Sequence, residues 1–435
     1  MNSSQQYLSA RPTHHGAPWL LGLGALSGLA WLWLWAGNGR FWQPGPFLRQ
    51  GSAAPGEGPW PAVAIVVPAR NEAAAIQPAL TSLLGQDYPG WLRVFLVDDE
   101  STDGTSQLAA QVPDPHKRLT IIKGNPHAPG WSGKLWAVHQ GEGAALAALR
   151  SQQAREAGAG GAGTAPGSFI MLTDADITHA PDHVTSLVRQ ARDGSQDMVS
   201  EMVSLNCTGF WEKALIPAFV YFFAMIYPYR KVADPRSRVA GAAGGTVLVS
   251  QRALVGVGGI QALRGALIDD CTLAKHVQQR GGRLYLGSSR QAWSIRSYQE
   301  PGEIWHMIVR TAYNQLRYSP LRLAGALVGL VLVWFVPPAL ALKGRGAARW
   351  LGAGVCAMAA ASYLPTLRHF KLGAWRVLTL PLIVAFYMLA TVDSAIKHHF
   401  GAGVTWHGRA YGGAEGDSAP SQPAPAPTPT EDSAP

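Results

Sequence analysis

Residues 92–105 read LRVFLVDDESTDGT: an apolar run from Leu92 to Val97, the paired Asp98 and Asp99, then the turn-forming Ser101-Thr102-Asp103-Gly104-Thr105. The run is short and rich in β-formers, and an acidic pair closes it, so it reads as a strand that ends at a polar crevice. The same unit recurs on either side. Val63 to Val67 is an apolar strand followed by a helix-period segment from Glu72 to Leu84. Ile121 and Ile122 belong to a third strand, and Phe169 to Leu172 to a fourth that ends in Thr173-Asp174-Ala175-Asp176. Strands alternating with helical segments across residues 61–320 predict an α/β domain, a mostly parallel sheet with helices on both faces. In such sheets ligands sit beyond the carboxyl ends of the strands, so the acidic residues at two strand ends converge on one crevice.

Asp174 and Asp176, two residues apart at a strand end, are spaced to offer hard oxygen ligands to a divalent cation such as Mg2+ or Mn2+ and to a ribose. Each acidic cluster also has a plainer reading. Aspartates after a strand are common helix N-caps, and Pro68 followed by Arg70-Asn71-Glu72 is an ordinary helix start. No GxGxxG or GxxxxGK[ST] follows the first strand, which argues against dinucleotide enzymes and P-loop nucleotidases. Cys207, Cys271 and Cys356 lie far apart without a CxxC spacing, so neither a disulfide framework nor a zinc site is expected.

Around this domain the composition changes. Charged residues make up 14% of the 435-residue chain, against roughly 25% in soluble domains, and the hydrophobic excess sits in a few uncharged runs. After a segment at residues 1–15, Gly16 to Asn38 is uncharged and long enough to span a bilayer; its alternative, a cleaved signal peptide, lacks a good cleavage site. A C-terminal membrane region of two or three helices is expected over 323–395. Leu323 to Leu342 is its strongest run, and Trp350 to Leu367 and Val377 to Val392 are shorter candidates that also suit re-entrant segments. The run 211–229, broken by Pro217 and Pro228, reads as an interfacial helix. The net charge of +9 collects beside the apolar runs, which favours anionic lipid headgroups over nucleic acid as its partner. Trp406-His407-Gly408-Arg409 reads as a juxtamembrane anchor. Ala157 to Gly167 reads as a loop insertion, and residues 412–435, rich in Pro, Ala and Ser, as a disordered tail.

Taken in order, VVPARNEA from Val66, QDYPG from Gln86, LVDDESTDGT from Leu96, GWSGKLWA from Gly130, LTDADI from Leu172 and LIDDCTLA from Leu267 resemble the family 2 glycosyltransferases, inverting nucleotide-sugar enzymes with a GT-A fold. The resemblance covers about residues 61–320. The longer matches GWSGKLWAVHQG, WEKALIPAFVYFFAMIYP and ALIDDCTLAKHV, with MIVRTAYNQLRYSP ahead of the second span, look like the hopene-associated glycosyltransferases of bacterial hopanoid clusters.

The resemblance implies roles. Asp98 and Asp99, with Pro68, Arg70, Glu72, Lys134 and Asp174, would bind the donor. Asp176, with Asp174, would carry a divalent metal, Mg2+ or Mn2+. Asp270 would be the catalytic base beside Asp269, which stands where the family usually has Glu. Gly244, Gly245, Arg310 and Arg317 are candidates for the acceptor or the diphosphate. The (Q/R)xxRW motif of the family's processive and ceramide-type members is incomplete here, with no RW after Gln315-Leu316-Arg317-Tyr318, so a single transfer to a lipid acceptor is expected, with a hopanoid as the narrower reading. A processive polysaccharide synthase and a catalytically silent nucleotide-binding membrane scaffold are the alternatives. The implied location is the bacterial inner membrane, multi-pass, with the catalytic domain cytosolic.

Overall fold

The computed structural model describes residues 18–53, 58–158, 167–266 and 268–400, together with two short strands, Val404–Trp406 and Arg409–Tyr411. The segment 1–15, nearly all of the loop insertion at 157–167, and the tail at 412–435 lie outside the described residues.

Eight strands form one sheet: β1 (Val63–Ala69), β2 (Leu92–Asp98), β3 (Leu119–Lys123), β4 (Phe169–Thr173), β5 (Ile177–His179), β6 (Met198–Ser204), β7 (Thr246–Ser250) and β8 (Leu284–Ser294). Their order is β3-β2-β1-β4-β7-β6-β8-β5. The first four in space run parallel, β7 is antiparallel to both β4 and β6, and β5 closes the edge antiparallel to β8. The expectation of a mostly parallel α/β sheet therefore holds, with four more strands than the sequence reading named.

Side-chain alternation explains why both faces are dry. Val63, Ile65 and Val67 point to one face, where Ile76, Leu80 and Leu83 of the helix Ile76–Leu84 and Val184, Leu187 and Val188 of the helix His183–Asp193 cover them. Ala64 and Val66 point to the other, beneath Leu135, Val138, Ala145 and Leu149 of the helix Gly133–Gly158. That long helix lies close to the sheet at Gly141, where a Cβ would collide with the Val66 side chain. The helix expected from Glu72 begins only at Ile76. Asn71 takes φ +53°, and the Glu72 and Ala73 amides are held by Thr105 Oγ1 and Asp103 Oδ2, each at 2.9 Å, so residues 72–75 form a turn.

Among the described residues, five helical segments are long and apolar enough to cross a membrane: Pro18–Gly37, Phe210–Ala233, Pro320–Lys343, Ala347–His369 and Ala374–Phe400. Leu29, Leu321, Leu342, Trp350, Leu382 and Leu389 are exposed along them, an apolar outer surface suited to lipid. Inward, Trp31, Tyr221, Trp334 and Tyr363 pack together; the Trp31 indole donates to the Val333 carbonyl at 2.9 Å, and the Tyr221 hydroxyl lies 2.6 Å from Ser362 Oγ. The third segment widens into a π turn at Val331–Phe335 just before Pro337 and Pro338, which lack the amides an α-helix needs there. The helix Phe210–Ile226, expected at the interface, inserts Leu215, Ile216 and Tyr221 into the same apolar cluster. The helix Pro301–Gln315 joins sheet and helices, with its Trp305 indole donating to Asp393 Oδ2 at 2.8 Å.

Candidate active site

Three chain segments meet at one cleft, two of them carrying carboxylates. The end of β4 carries Asp174 and Asp176, and the helix Asp269–Gln279 opens with Asp269 and Asp270. Facing them, the first turn of the helix Gly133–Gly158 supplies Lys134. The cleft is lined by Pro68, Lys134, Thr173, Asp174, Gly244, Asp269 and Asp270 together with the apolar Leu135, Leu172, Val247 and Ile260. Lys134 Nζ lies 2.7 Å from Asp174 Oδ1 and 3.8 Å from Asp269 Oδ2, so one cation ties the β4 carboxylate to the helix carboxylate. Burial works against the charged ammonium, but Asp174 and Asp269 outweigh it and raise its pKa.

Asp270 sits deeper. Its Oδ1 accepts from the Cys271 amide at 2.7 Å, and a Cβ on Gly244 would lie 3.2 Å from its Oδ2. Burial, then the charge of Asp269, push its pKa up to about 7. The helix N-terminus alone would favour an ionised carboxylate, which is what the sequence suggests. Here desolvation wins, so near neutral pH Asp270 is poised between its two forms.

A second cation was not legible in the sequence. Arg296, just past β8, places Nε 2.9 Å from Asp176 Oδ2 and Nη2 3.0 Å from Glu72 Oε1. Burial, followed after the opposing effect of Arg296 by Asp176 and Asp174, lifts the Glu72 pKa to about 7; burial and then Asp174 raise that of Asp176. No motif marks Arg296, which lies 120 residues from Asp176 in sequence. Its one signal is a basic residue just past a strand end.

The other expected residues scatter around this core. Asp98 caps its own loop: Oδ1 accepts from the Ser101 amide at 2.9 Å, and Ser106 Oγ donates to Oδ2. Asp99 is fully buried, with Arg70 Nη1 3.6 Å from its Oδ2 and donating to its carbonyl at 2.6 Å. Gly245 accepts at its carbonyl from Thr173 Oγ1 at 2.8 Å. Arg310 is half-buried on the helix Pro301–Gln315 outside the cleft lining, and Arg317 is exposed past that helix, at φ +53°. Pro68, Lys134, Asp174, Gly244, Asp269 and Asp270 are thus brought together; Asp98, Asp99, Arg70, Arg310 and Arg317 do not line that cleft.

The donor set suits a hard cation. Asp174 and Asp176 offer only carboxylate oxygen, and one oxygen of each stands outside the ion pairs with Lys134 and Arg296. Among the described residues no three His, Cys, Asp or Glu side chains form a closed metal cage. An open pair of this kind fits an ion that takes most of its ligands from phosphate and water.

The model of the family described as glycosyl transferase family 21 matches residues 160–419, and that of glycosyl transferase family 2 matches residues 64–146. A β-monoglucosyldiacylglycerol synthase of Nostoc sp. is 29% identical over 161 residues, 36% of this chain and 30% of that one. An N-acetylglucosaminyltransferase of Rhizobium leguminosarum bv. viciae is also 29% identical, over 163 residues, 36% of this chain and 32% of that one. The chain thus spans about a third of the length of these curated relatives. Among solved structures, the mannosyltransferase PcManGT from Pyrobaculum calidifontis, in complex with GDP-Man and Mn2+, is 20% identical with a TM-score of 0.49, covering 87% of this chain and 97% of that one. With the family matches in tandem along it, the α/β domain has the GT-A fold that the sequence resemblance implied.

Proposed function

We propose, from the premise that the chain belongs to glycosyl transferase family 21, that it is a membrane-anchored inverting glycosyltransferase, moving one sugar from a nucleotide-sugar donor to a lipid acceptor. The observation that carries this reading is that Asp270 and Asp174 line one cleft, where Lys134 ties Asp174 to Asp269 beside Asp270, in a chain whose described residues include five apolar helical segments. Inversion requires the acceptor hydroxyl in line with the departing diphosphate, so one carboxylate must face the acceptor while positive charge faces the phosphates. Asp270 takes the first role, accepting the hydroxyl proton as the new bond forms. Lys134 takes part of the second, and Arg296 holds Asp176 and Glu72 in place beside it. Asp174 and Asp176 would hold a divalent cation, Mg2+ or Mn2+, which supplies Lewis-acid neutralisation of the leaving diphosphate. Pro68 lines the cleft, and the loops held by Asp98, Asp99 and Arg70 outside that lining would shape the side of the site that takes the nucleoside.

The catalytic domain is proposed to be cytosolic, where nucleotide sugars are made, on a multi-pass protein of the bacterial inner membrane. The helix Phe210–Ile226 is proposed to start at the headgroup level. Its exposed Phe210 and Trp211, and exposed Trp375 beneath the Arg376 guanidinium, support an aromatic belt there, with Arg376 Nη1 donating to the Lys213 carbonyl at 3.2 Å. A hopanoid is the narrower form of the acceptor proposal, and it rests on the sequence resemblance. The test is a donor panel with purified protein and total membrane lipid, with and without Mg2+ or Mn2+, read by mass spectrometry of the lipid product. A glycolipid carrying one added sugar supports the reading. Long polymer, or no turnover of any donor, overturns it.

A further inference from the structure

Behind the cleft runs a line of buried polar side chains that the transfer chemistry leaves unused. Ser289 Oγ in β8 donates to Glu201 Oε2 in β6 at 2.9 Å, and the same oxygen lies 2.9 Å from His183 Nε2. His183 Nδ1 is 2.8 Å from His179 Nδ1, His179 Nε2 is 3.2 Å from Thr173 Oγ1, and Thr173 donates to the Gly245 carbonyl at 2.8 Å. All five side chains are at most 5% exposed, so each polar atom depends on its neighbour.

The ends of the line fix the hydrogens along it. A carbonyl only accepts, so the single Thr173 hydroxyl proton goes to Gly245, and His179 must donate to Thr173 from Nε2. Burial, then the neighbouring His183, hold the His179 pKa well below its usual range, so its ring is neutral and Nδ1 accepts from His183 Nδ1–H. At the far end Ser289 Oγ accepts from the amides of Gln291 and Ala292, at 3.1 and 3.0 Å, leaving its own proton for Glu201. One proton remains between His183 and Glu201, and either placement leaves the line neutral overall. The line therefore has one direction, ending on Gly245. Thr173 precedes Asp174, and Gly245 follows Gly244, which packs against Asp270. The Thr173–Gly245 bond thus joins the strand that carries Asp174 to the turn that backs Asp270.

We propose that His179 is a positioning residue: its Nε2–H holds the Thr173 hydroxyl on Gly245 and so fixes Asp174 and Asp270 relative to each other. The catalytic part of this inference rests on the transferase reading; the structural part does not. Two substitutions at one position separate the ends of the line. His179→Gln keeps a donor where Nε2 stands and so keeps the partner of Thr173. His179→Asn keeps an acceptor where Nδ1 stands and releases Thr173. The full chain is reconstituted in lipid nanodiscs, and hydrogen exchange at 171–176 and 242–247 is followed alongside kcat and donor KM.

His179→Asn is expected to speed exchange in both segments and to lower kcat roughly 10-fold or more, with donor KM within about 3-fold, since misplacement of a reacting group acts mainly on the chemical step. His179→Gln is expected to stay within about 3-fold of the parent in every readout. Equal effects of the two substitutions overturn the proposal. Where neither variant folds, Thr173→Val decides: it keeps the shape and removes the hydroxyl, so a parent-like kcat overturns the proposal and a loss like that expected for His179→Asn supports it. A parent that transfers no sugar while exchange still separates Asn from Gln refutes the transferase reading and supports the holding role.

Discussion

Two sets of aspartates, one after β2 and one gathered from the end of β4 and the start of the helix Asp269–Gln279, stand in different surroundings. Asp98 and Asp103, after β2, are satisfied by the chain itself: the Ser101, Ala73 and Thr105 amides and the Ser106 and Thr105 hydroxyls all donate to them. Asp174, Asp176, Asp269 and Asp270 crowd one another instead, relieved by Lys134 and Arg296. The pKa values follow. Desolvation works to raise that of Asp103, but hydrogen bonds from Thr105 and Ala73 together hold it below its usual range, whereas burial and like charge raise those of Asp176 and Asp270. The first set spends its carboxylates on shaping a wall, and the second keeps them available for chemistry.

The sharpest way to break this contrast is Asp270→Asn. It preserves volume but removes the basic oxygen, so transfer should fall by roughly 100-fold or more while donor affinity, measured by calorimetry, changes little. Full activity in this variant would move the base elsewhere. Asp176→Asn should have the next largest effect, weakening metal-dependent donor binding by about 10-fold or more. Titrating donor with and without Mn2+ checks it, and an unchanged metal requirement would remove Asp176 from the metal site.

A pH profile sharpens the same contrast. Asp270 is raised to about 7, so the fraction able to accept a proton grows as pH rises through that value, and kcat/KM should rise with it. Asp269 is the second cause of the shift, after burial. Asp269→Asn removes that repulsion, so the midpoint should move to lower pH with a smaller loss of maximal rate than Asp270→Asn produces. A midpoint that stays put or rises would show that Asp269 does not act on Asp270 through its charge.

The strands near the site were legible because short apolar runs and strand-end acids are local patterns, and Asp174, Asp176, Asp269 and Asp270 could be named from motifs. Arg296 could not, since its partners are brought to it only by the closing of β8 onto the sheet. The line from Ser289 to Thr173 was hidden for the same reason: it crosses β8, β6, a helix start, β5 and β4. The last apolar segment was underestimated as Val377 to Val392, because Asp393 reads as its end. In the fold Asp393 pairs with Lys397 at 2.9 Å and accepts from Trp305, so its charge is compensated and the helix continues to Phe400. Helix length there depends on a partner 88 residues away.

The smallest expected effect tests the other side of the comparison. Asp103 Oδ2 accepts from the Ala73 amide at 2.9 Å, and Oδ1 accepts from the Thr105 hydroxyl at 2.6 Å and its amide at 3.1 Å, so one exposed carboxylate ties the loop after β1 to the loop after β2. Its folded pKa is depressed, so this contribution is present above the unfolded value of about 3.9 and is lost as pH falls through the folded value. Asp103→Ala should lower stability by about 1 kcal/mol at neutral pH, as loss of a cap does, and that difference from the parent should shrink below about pH 4. Transfer with saturating donor should change less than about 3-fold, because the cleft carboxylates are untouched. Thermal unfolding of both proteins at pH 7 and pH 4, with kcat measured in parallel, checks this. A loss of transfer comparable to that of Asp270→Asn, without loss of stability, would mean that the two sets of aspartates share the chemistry and that the division drawn between them is wrong.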